Sequence, residues 1–221
     1  MNAEVRLMKN MLEANDQVAA NNRDFFASQD MLVLNLIGSP GAGKTTLLLA
    51  TLDQIDDYNV AVLQGDIETN IDAQRVAQTG TPVLQLNTHG ACHLDARLVQ
   101  QGFQEMSITP DILFIENIGN LVCPAQFDLG ETAKVVVVSV TEGDDKPYKY
   151  PATFHCAGAV IITKLDLLEH TDFSIDRFLD GFRAVNKVAP CFPVSARTGQ
   201  GLRPWLAWLK EQCSKVKTEA V

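Results

Sequence analysis

An eight-residue segment near the start of the chain has the composition of a phosphate-binding loop. Residues 38–45 read Gly-Ser-Pro-Gly-Ala-Gly-Lys-Thr and match GxxxxGK[ST] at every specified position. Glycines let backbone N–H groups approach a phosphate closely, and the N-terminus of the following helix adds partial positive charge. We expect Lys44 to reach the terminal phosphates and the Thr45 hydroxyl to bind Mg²⁺. The predicted nucleotide contacts are Gly38, Ser39, Pro40, Gly41, Ala42, Gly43, Lys44, Thr45 and Thr46.

A second motif predicts which base is bound. Thr163-Lys164-Leu165-Asp166 follows the apolar run AVIIT, where guanine-specific P-loop proteins carry NKxD. A carboxylate there accepts hydrogen bonds from the ring N–H and the exocyclic amine of guanine, and adenine offers no such pair of donors. Ser195-Ala196-Arg197 resembles the SAK loop that lines the base in GTPases. The expected ligand is therefore GTP or GDP, bound by Thr163, Lys164, Asp166, Ser195, Ala196 and Arg197, although Thr163 replaces the usual asparagine.

Two acidic residues stand where they would face the phosphates. Asp66 ends the run VAVLQGD, and Glu116 follows ILFI, so both lie at the carboxyl ends of predicted strands. Open α/β sheets bind ligands at that edge, and carboxylates there hold Mg²⁺ directly or through water. The alternative for either residue is a solvated carboxylate. We expect Thr45, Asp66 and Glu116 to bind magnesium.

Catalysis is predicted at the same edge. Gly119, in Glu116-Asn117-Ile118-Gly119, occupies the place of the DxxG switch of GTPases, where a backbone N–H approaches the γ-phosphate. Thr69 and Asp72 are candidates for the other switch. No glutamine stands in an obvious place to orient an attacking water, so intrinsic hydrolysis is expected to be slow. The predicted catalytic set is Lys44, Asp66, Glu116 and Gly119.

Cys92-His93 and Cys123 form a candidate metal site. Thiolate and imidazole are borderline-soft ligands that suit Zn²⁺ or Ni²⁺, and a bound metal deprotonates the thiol. The spacing is not that of a zinc finger, and buried cysteine acting as a small hydrophobic residue is the ordinary alternative. Cys123 closely follows Gly119, however, so a metal held there would respond to the γ-phosphate. His89 is either an auxiliary ligand or a solvated loop residue.

The remaining cysteines and histidines show no metal-binding pattern. His155-Cys156 and Cys191 are expected to serve packing, and Cys213 and His170 have no partner that the sequence identifies. Residues 142–157 form the longest predicted irregular stretch, which makes this segment a candidate functional loop. Within it, Lys146, Lys149 and Tyr150 are candidates for contact with the nucleotide of a second subunit.

Alternating strands and helices must position these residues. Strands are predicted at 31–37, 59–64, 82–86, 111–115, 134–140, 159–163 and 190–194, and helices at 44–56, 70–79, 94–106, 174–186 and 201–215. Continuously apolar strands that alternate with helices predict a mostly parallel central sheet of about seven strands with helices on both faces. The predicted fold class is α/β, a P-loop NTPase, over residues 31–221. An N-terminal helical extension is predicted over residues 1–30.

Composition and charge narrow the function classes. The 221 residues carry a net charge of −9, which argues against a nucleic-acid partner because such an interface needs a basic surface. No apolar run reaches the length of a membrane span, and the first thirty residues lack the apolar core of a signal peptide. The five cysteines are odd in number and scattered, unlike a disulfide framework. We expect a reduced, cytoplasmic protein.

Several segments together resemble the HypB family of nickel-inserting GTPases. They are GSPGAGKT, GDIETNIDA (65–73), THGACHLDA (88–96), ENIGNLVCP (116–124) and VTEGDDKPYKYP (140–151), and the resemblance runs from about residue 31 to the end. It implies GTP hydrolysis that gates nickel delivery during maturation of [NiFe]-hydrogenase. It also implies nickel or zinc at Cys92, His93 and Cys123, a GTP-promoted homodimer, and as partners an accessory protein of the HypA type and the hydrogenase large-subunit precursor. The CxxCGC motif and histidine-rich tract of some relatives are absent, so we expect no separate N-terminal nickel store.

Three other functions remain open at this point. A UreG-like urease accessory GTPase typically carries Cys-Pro-His, whereas Cys123-Pro124-Ala125 stands here. A nucleotide-gated metal-binding scaffold without significant hydrolysis would use the same ligands and release no phosphate. An ATP-dependent kinase or ligase would share the phosphate loop, but the Thr163–Asp166 motif opposes it.

Overall fold

The computed structural model describes residues 3–66, 70–88 and 90–219, with side chains from residue 10 to residue 218 within those ranges. Its strands are β1 (Leu32–Gly38), β2 (Val60–Asp66), β3 (Val83–Asn87), β4 (Ile112–Gly119), β5 (Ala133–Ser139), β6 (Ala157–Thr163) and β7 (Cys191–Pro193). They form one sheet in the order β3-β2-β4-β1-β5-β6-β7, and each neighbouring pair is parallel. The predicted seven-stranded α/β architecture is confirmed.

Helices connect the strands and cover both faces of the sheet. They are α1 (Ala3–Ser28), α2 (Lys44–Leu52), α3 (Ile71–Ala77), α4 (Ala96–Met106), α5 (Cys123–Gln126), α6 (Lys146–Lys149), α7 (Pro151–His155), α8 (Ile175–Val185) and α9 (Leu202–Glu219). All seven residues of the central strand β1 are buried, as a strand covered on both faces requires. None of the described helices combines the length and apolar content needed to cross a bilayer.

The interpretation of residues 142–157 as irregular is wrong. A 3₁₀ turn over Val140–Glu142 leads into α6 and α7, and β6 begins at Ala157. Proline stands in the first turn of both helices, where its missing N–H costs nothing. Ser139 and Glu142 form a reciprocal capping box around the 3₁₀ turn. These elements are too short to show a hydrophobic period, so the sequence pattern did not predict them.

Helix α1 packs on the same side of the sheet as α4. Phe26 and Phe103 meet edge to face with ring centroids 5.4 Å apart, inside a buried cluster that includes residues of β1, β2 and β4. Polar groups add to this contact, since Asn22 Nδ2 donates to the carbonyls of Ala96 (2.8 Å) and Leu129 (3.0 Å). The predicted helix is present, and the domain boundary after residue 30 stays a prediction.

Candidate functional site

The phosphate loop joins the end of β1 to the start of α2. Gly43 occupies the N-cap of α2 with φ of 92°, a left-handed conformation that strains any other residue. The Lys44 side chain is buried, and its Nζ donates to the carbonyls of Gly38 (3.2 Å) and Ser39 (3.4 Å). Burial lowers the pKa of Lys44. A lysine that is removed from water in this way gains from meeting a polyanion.

A cavity of about 520 Å³ opens beside this loop. Its walls carry most of the predicted phosphate and magnesium residues, namely Pro40, Gly41, Gly43, Lys44, Thr45, Thr46, Asp66 and Glu116, together with the predicted catalytic Gly119 and the predicted base contact Lys164. The side chains of Asp72 and Arg75, which form an ion pair at 3.0 Å, line it too. Gly38, Ser39 and Ala42 belong to the loop but not to the cavity wall. Thr69 and His89 lie outside the described residues.

Thr45 and Glu116 meet at the floor of this cavity. Thr45 Oγ1 donates to Glu116 Oε1 at 2.7 Å, and Gln64 Nε2 lies 3.4 Å from Glu116 Oε2. Burial raises the pKa of Glu116 to about 7, partly offset by the nearby Lys44 ammonium. A hydroxyl and carboxylates are the hard oxygen ligands that Mg²⁺ prefers, so Thr45, Glu116 and Asp66 fit the ion by donor chemistry. Their role as magnesium ligands stays a prediction.

Gln64 is a polar residue of the cavity that the sequence analysis missed. Its side chain is only 3% exposed, and its Oε1 has no hydrogen-bond partner among the described residues. Gln64 stands two residues before Asp66 on β2, so the alternation of a strand places both on one face. That spacing was the available signal, but the residue was hidden within the apolar run VAVLQG.

Gly119 lies directly against the phosphate loop. It pairs with Gly38 in the register between β4 and β1, and Asn120 forms an isolated bridge with Gly38. A Cβ on Gly119 would lie 2.9–3.0 Å from atoms of Pro40, two of them backbone atoms, so only glycine fits without displacing the loop. The end of β4 and the phosphate loop are therefore in van der Waals contact.

The predicted base-binding residues fall into two groups. The Thr163 hydroxyl donates to the Ala42 carbonyl at 2.5 Å, with the Val138 carbonyl a second acceptor at 3.1 Å. Thr163 thus supports the phosphate loop from β6, although it lacks the side-chain amide of asparagine. Ser195 Oγ donates to Asp166 Oδ1 at 2.6 Å, and this hydrogen bond lowers the pKa of Asp166. Lys164, which lies between Thr163 and Asp166, has a left-handed backbone conformation with φ of 58°.

The loop after β7 supplies the rest of the predicted base contacts. Ser195 is buried, Ala196 is half-buried and Arg197 is exposed. The Ser195 N–H donates to the Gln200 carbonyl at 2.8 Å, which closes the loop on itself. The hydrogen bond from Ser195 to Asp166 brings this loop beside the Thr163–Asp166 segment. Guanine recognition by these residues stays a prediction.

Cys92, His93 and Cys123 come together in space. One ligand atom from each residue lies within 4.8 Å of the others, and Cys92 Sγ is 3.6 Å from His93 Nδ1. The neighbouring Cys123 thiol raises the pKa of Cys92, and burial lowers the pKa of His93. His93 also stacks on Phe127, with ring centroids 3.7 Å apart. Two sulfurs and one imidazole at this spacing suit Zn²⁺ or Ni²⁺.

The other cysteines and histidines that the structure describes lie outside this cluster. Cys156 Sγ is 3.3 Å from the Thr153 carbonyl, and His155 Nδ1 is 3.1 Å from the Val185 carbonyl, so both take part in local packing. Cys191 is half-buried, Cys213 is buried, and His170 is exposed at the end of a 3₁₀ turn.

The three residues predicted to meet a second subunit lie on or beside α6. Lys149 forms an ion pair with Asp145, and Lys146 Nζ lies 5.7 Å from the centroid of the Tyr150 ring. None of the three lines the cavity beside the phosphate loop. Their contact with a second nucleotide stays a prediction.

Comparison with known proteins agrees with this geometry. The family model "CobW/HypB/UreG, nucleotide-binding domain" matches residues 32–193. The hydrogenase maturation factor HypB of Azotobacter chroococcum mcd 1 is 47% identical over 210 residues, which cover 94% of this chain and 69% of that protein. The chain is also similar to the crystal structure of Helicobacter pylori HypB in complex with nickel, with a TM-score of 0.87, 37% identity, and coverage of 91% of this chain and 96% of that one.

A third comparison gives the same result. The crystal structure of HypB from Archaeoglobus fulgidus matches with a TM-score of 0.86 and 33% identity, and covers 91% of this chain and all of that one. The family resemblance of the five segments is thereby confirmed. Because the family model matches most of the chain and these relatives exceed 30% identity across nine-tenths of it, the chain belongs to the HypB hydrogenase maturation factors within the CobW/HypB/UreG family.

Proposed function

We propose that this chain binds and hydrolyses GTP and uses that cycle to gate nickel delivery for maturation of [NiFe]-hydrogenase. The observation that carries the proposal is the position of the cluster of Cys92, His93 and Cys123. Cys123 follows the end of β4, and Gly119 at that end touches the phosphate loop. A change at the terminal phosphate can therefore reach the sulfur ligands over a few residues of backbone.

The nucleotide chemistry follows from the residues around the phosphate loop. Lys44 and the loop N–H groups would neutralise the β- and γ-phosphates, and Gly119 would offer its N–H to the γ-phosphate. Bound Mg²⁺ supplies charge neutralisation of the phosphate oxygens. Thr45, Asp66 and Glu116 would hold it. Asp166 would accept two hydrogen bonds from guanine, which is why we propose GTP and not ATP.

Metal affinity should depend on pH and on a second subunit. Thiols must lose their protons to bind a metal, so nickel affinity is expected to fall as the pH is lowered. Three protein ligands leave a four-coordinate site open to water or to a residue of a second chain. A two-fold homodimer that forms with GTP would bring two such sites together, as isologous contacts do. Nickel and zinc both suit these ligands, and metal supply decides between them.

The proposed setting is the cytoplasm, where thiols stay reduced. The proposed partners are an accessory protein of the HypA type and the hydrogenase large-subunit precursor. The supporting facts are the family assignment and the scattered free cysteines. A nickel-bound structure of the Helicobacter pylori relative supports nickel as the delivered metal.

Nickel titration of single alanine variants tests the metal site. Cys92→Ala, His93→Ala and Cys123→Ala should each weaken Ni²⁺ binding at pH 7.5 by at least about tenfold, because a lost ligand removes a whole coordination bond. Cys156→Ala is the matched control, since Cys156 is an exposed cysteine outside the cluster, and its affinity should equal that of the unmodified protein. Undiminished nickel binding in all three cluster variants would contradict the proposed site.

Phosphate release tests the enzymatic part separately. The protein with Mg²⁺ and GTP should release phosphate slowly, and Lys44→Ala should abolish that release. ATP should compete poorly against a fluorescent GTP analogue. Absence of phosphate release above background, with nickel binding intact, would instead favour a nucleotide-gated scaffold.

A further inference from the structure

Two asparagines on the segment between Glu116 and Cys123 contact both the phosphate side and the metal side of the molecule. Asn117 lies within β4 and is 2% exposed, and Asn120 follows the last residue of that strand. Neither was singled out in the sequence. Both belong to the stretch of backbone that joins a predicted magnesium ligand to a predicted nickel ligand.

The Asn117 side chain bonds to the backbone beside His93. Its Oδ1 accepts hydrogen bonds from the N–H of Leu94 at 3.1 Å and from its neighbour Ile118 at 2.9 Å. Its Nδ2 donates to Asn35 Oδ1 at 3.2 Å, on the strand that leads into the phosphate loop. One buried amide therefore links β4, β1 and the residue next to a metal ligand.

Asn120 makes the corresponding link to the two cysteines. Its backbone bridges Gly38 of the phosphate loop. Its side-chain Nδ2 lies 3.4 Å from the Cys92 carbonyl, and its Oδ1 accepts from the N–H of Val122 at 2.8 Å, one residue before Cys123. A shift of Asn120 relative to the phosphate loop would thus move the backbone at both sulfur ligands.

The geometry of a metal site makes such a shift consequential. Thiolate and imidazole ligands bind at about 2.0–2.3 Å, so displacement of their backbone by a fraction of an ångström weakens coordination. Both asparagines belong to the same segment as Gly119, the residue in contact with Pro40. A γ-phosphate that attracts the Gly119 N–H would move both side chains with it.

We propose that Asn117 and Asn120 are positioning residues through which the bound nucleotide sets the nickel affinity of Cys92, His93 and Cys123. The inference rests on the proposed function, and it deepens it by naming the hydrogen bonds that connect the two sites. The alternative is that these amides only stabilise the fold. Asn22 allows that alternative to be tested, because it is also a buried amide, and its side chain donates to the Ala96 and Leu129 carbonyls, neither of which belongs to β4.

The experiment measures the Ni²⁺ dissociation constant of the full chain twice, with GDP and with a non-hydrolysable GTP analogue. The unmodified protein should show a ratio between the two states of about tenfold, within the usual range of coupling between sites. In Asn117→Ala and Asn120→Ala the ratio should fall to within about twofold. In Asn22→Ala it should stay near tenfold, even where the protein is less stable.

The outcomes separate this inference from the proposed function. An unmodified protein that binds no nickel at the cluster would defeat the proposed function itself. A tenfold ratio in the unmodified protein that persists in both asparagine variants would overturn only the inference drawn here, as would an equal loss of the ratio in Asn22→Ala. Asn120 is half-buried, so Asn120→Ala alone decides the matter if Asn117→Ala does not fold.

Discussion

Replacing Glu116 by glutamine should stabilise the nucleotide-free, metal-free protein at high pH. Burial raises the pKa of Glu116 from 4.5 to about 7, so the folded protein binds this proton more tightly than the unfolded chain does. Stability from this group is therefore fully present below pH 4.5 and is lost as the pH rises to about 7. At about 1.4 kcal/mol for each pKa unit, the ionised carboxylate costs the fold up to about 3 kcal/mol above that pH.

Glutamine removes that cost while it keeps the size and most of the contacts of the side chain. Its oxygen can accept from Thr45, as Glu116 does at 2.7 Å. Its new amide hydrogens would face Gln64, whose unpaired Oε1 can turn to accept one of them. The variant gives up the attraction between the carboxylate and the Lys44 ammonium, but the rise of the Glu116 pKa to about 7 is already net of that attraction.

The assay is urea unfolding in EDTA without nucleotide at pH 5 and pH 8. Glu116→Gln should be more stable than the unmodified protein by about 2–3 kcal/mol at pH 8, and by less than about 1 kcal/mol at pH 5. Glu211→Gln is the control, because Glu211 is exposed on α9 and its replacement should change stability by less than about 0.5 kcal/mol at either pH. Equal stability of Glu116→Gln and the unmodified protein at pH 8 would refute the reasoning from burial.

Three further substitutions probe the same cavity and the phosphate loop beside it. Gly119→Ala should weaken binding of a GTP analogue at least about tenfold, measured by fluorescence titration, because its Cβ would press on Pro40 at 2.9–3.0 Å. Thr163→Val keeps the side-chain shape but removes the hydrogen bond to the Ala42 carbonyl. Because a buried carbonyl left without its donor costs about 1–3 kcal/mol, GDP should dissociate about tenfold faster in stopped-flow displacement. Gln64→Leu should slow single-turnover GTP hydrolysis about tenfold, with nucleotide affinity changed by less than about threefold, because the unpaired amide oxygen in the cavity is lost.

Each of these substitutions has a result that would count against it. Analogue affinity unchanged in Gly119→Ala would mean that β4 and the phosphate loop do not need their close contact. Thr51→Val is the matched control for Thr163→Val, since Thr51 is a buried threonine on α2 that bonds to Leu47 and Trp205 and not to the phosphate loop. GDP release that accelerates equally in both would point to general loosening. Full hydrolysis in Gln64→Leu would remove Gln64 from the reaction.

The phosphate loop could be predicted from sequence because its chemistry is local. Residues 38–45 are contiguous, and an apolar strand and a helix-forming segment flank them, so their geometry follows from neighbouring residues alone. The contact between Asp66 and the cavity was predictable for a related reason. Parallel strands all present their carboxyl ends at one edge, so a strand-end carboxylate needs no further information to be placed.

Contacts that depend on distant packing were not predictable in the same way. The stacking of His93 on Phe127 joins two loops whose relative position the sequence does not encode locally. Asn15 in α1 accepts from the Ala96 N–H, 81 residues away, and on a helical pattern it reads as an ordinary solvated residue. The proximity of Cys92 and Cys123 was expected from the family resemblance and from the closeness of Cys123 to Gly119. The spacing of the two cysteines in the sequence did not predict it.

The attachment of α1 has a practical consequence for anyone who shortens this protein. Asn15 Nδ2 donates to the Asp128 carbonyl and Arg23 forms an ion pair with the Asp128 carboxylate, while the same helix satisfies the backbone of Ala96. Asp128 directly follows Phe127, and Ala96 at the start of α4 lies three residues after His93, so these contacts are next to the His93 and Phe127 rings. Removing the chain up to Ser28 would remove all of these contacts. Altered nickel affinity in such a shortened variant would therefore report the loss of support from α1 and not the loss of a metal ligand.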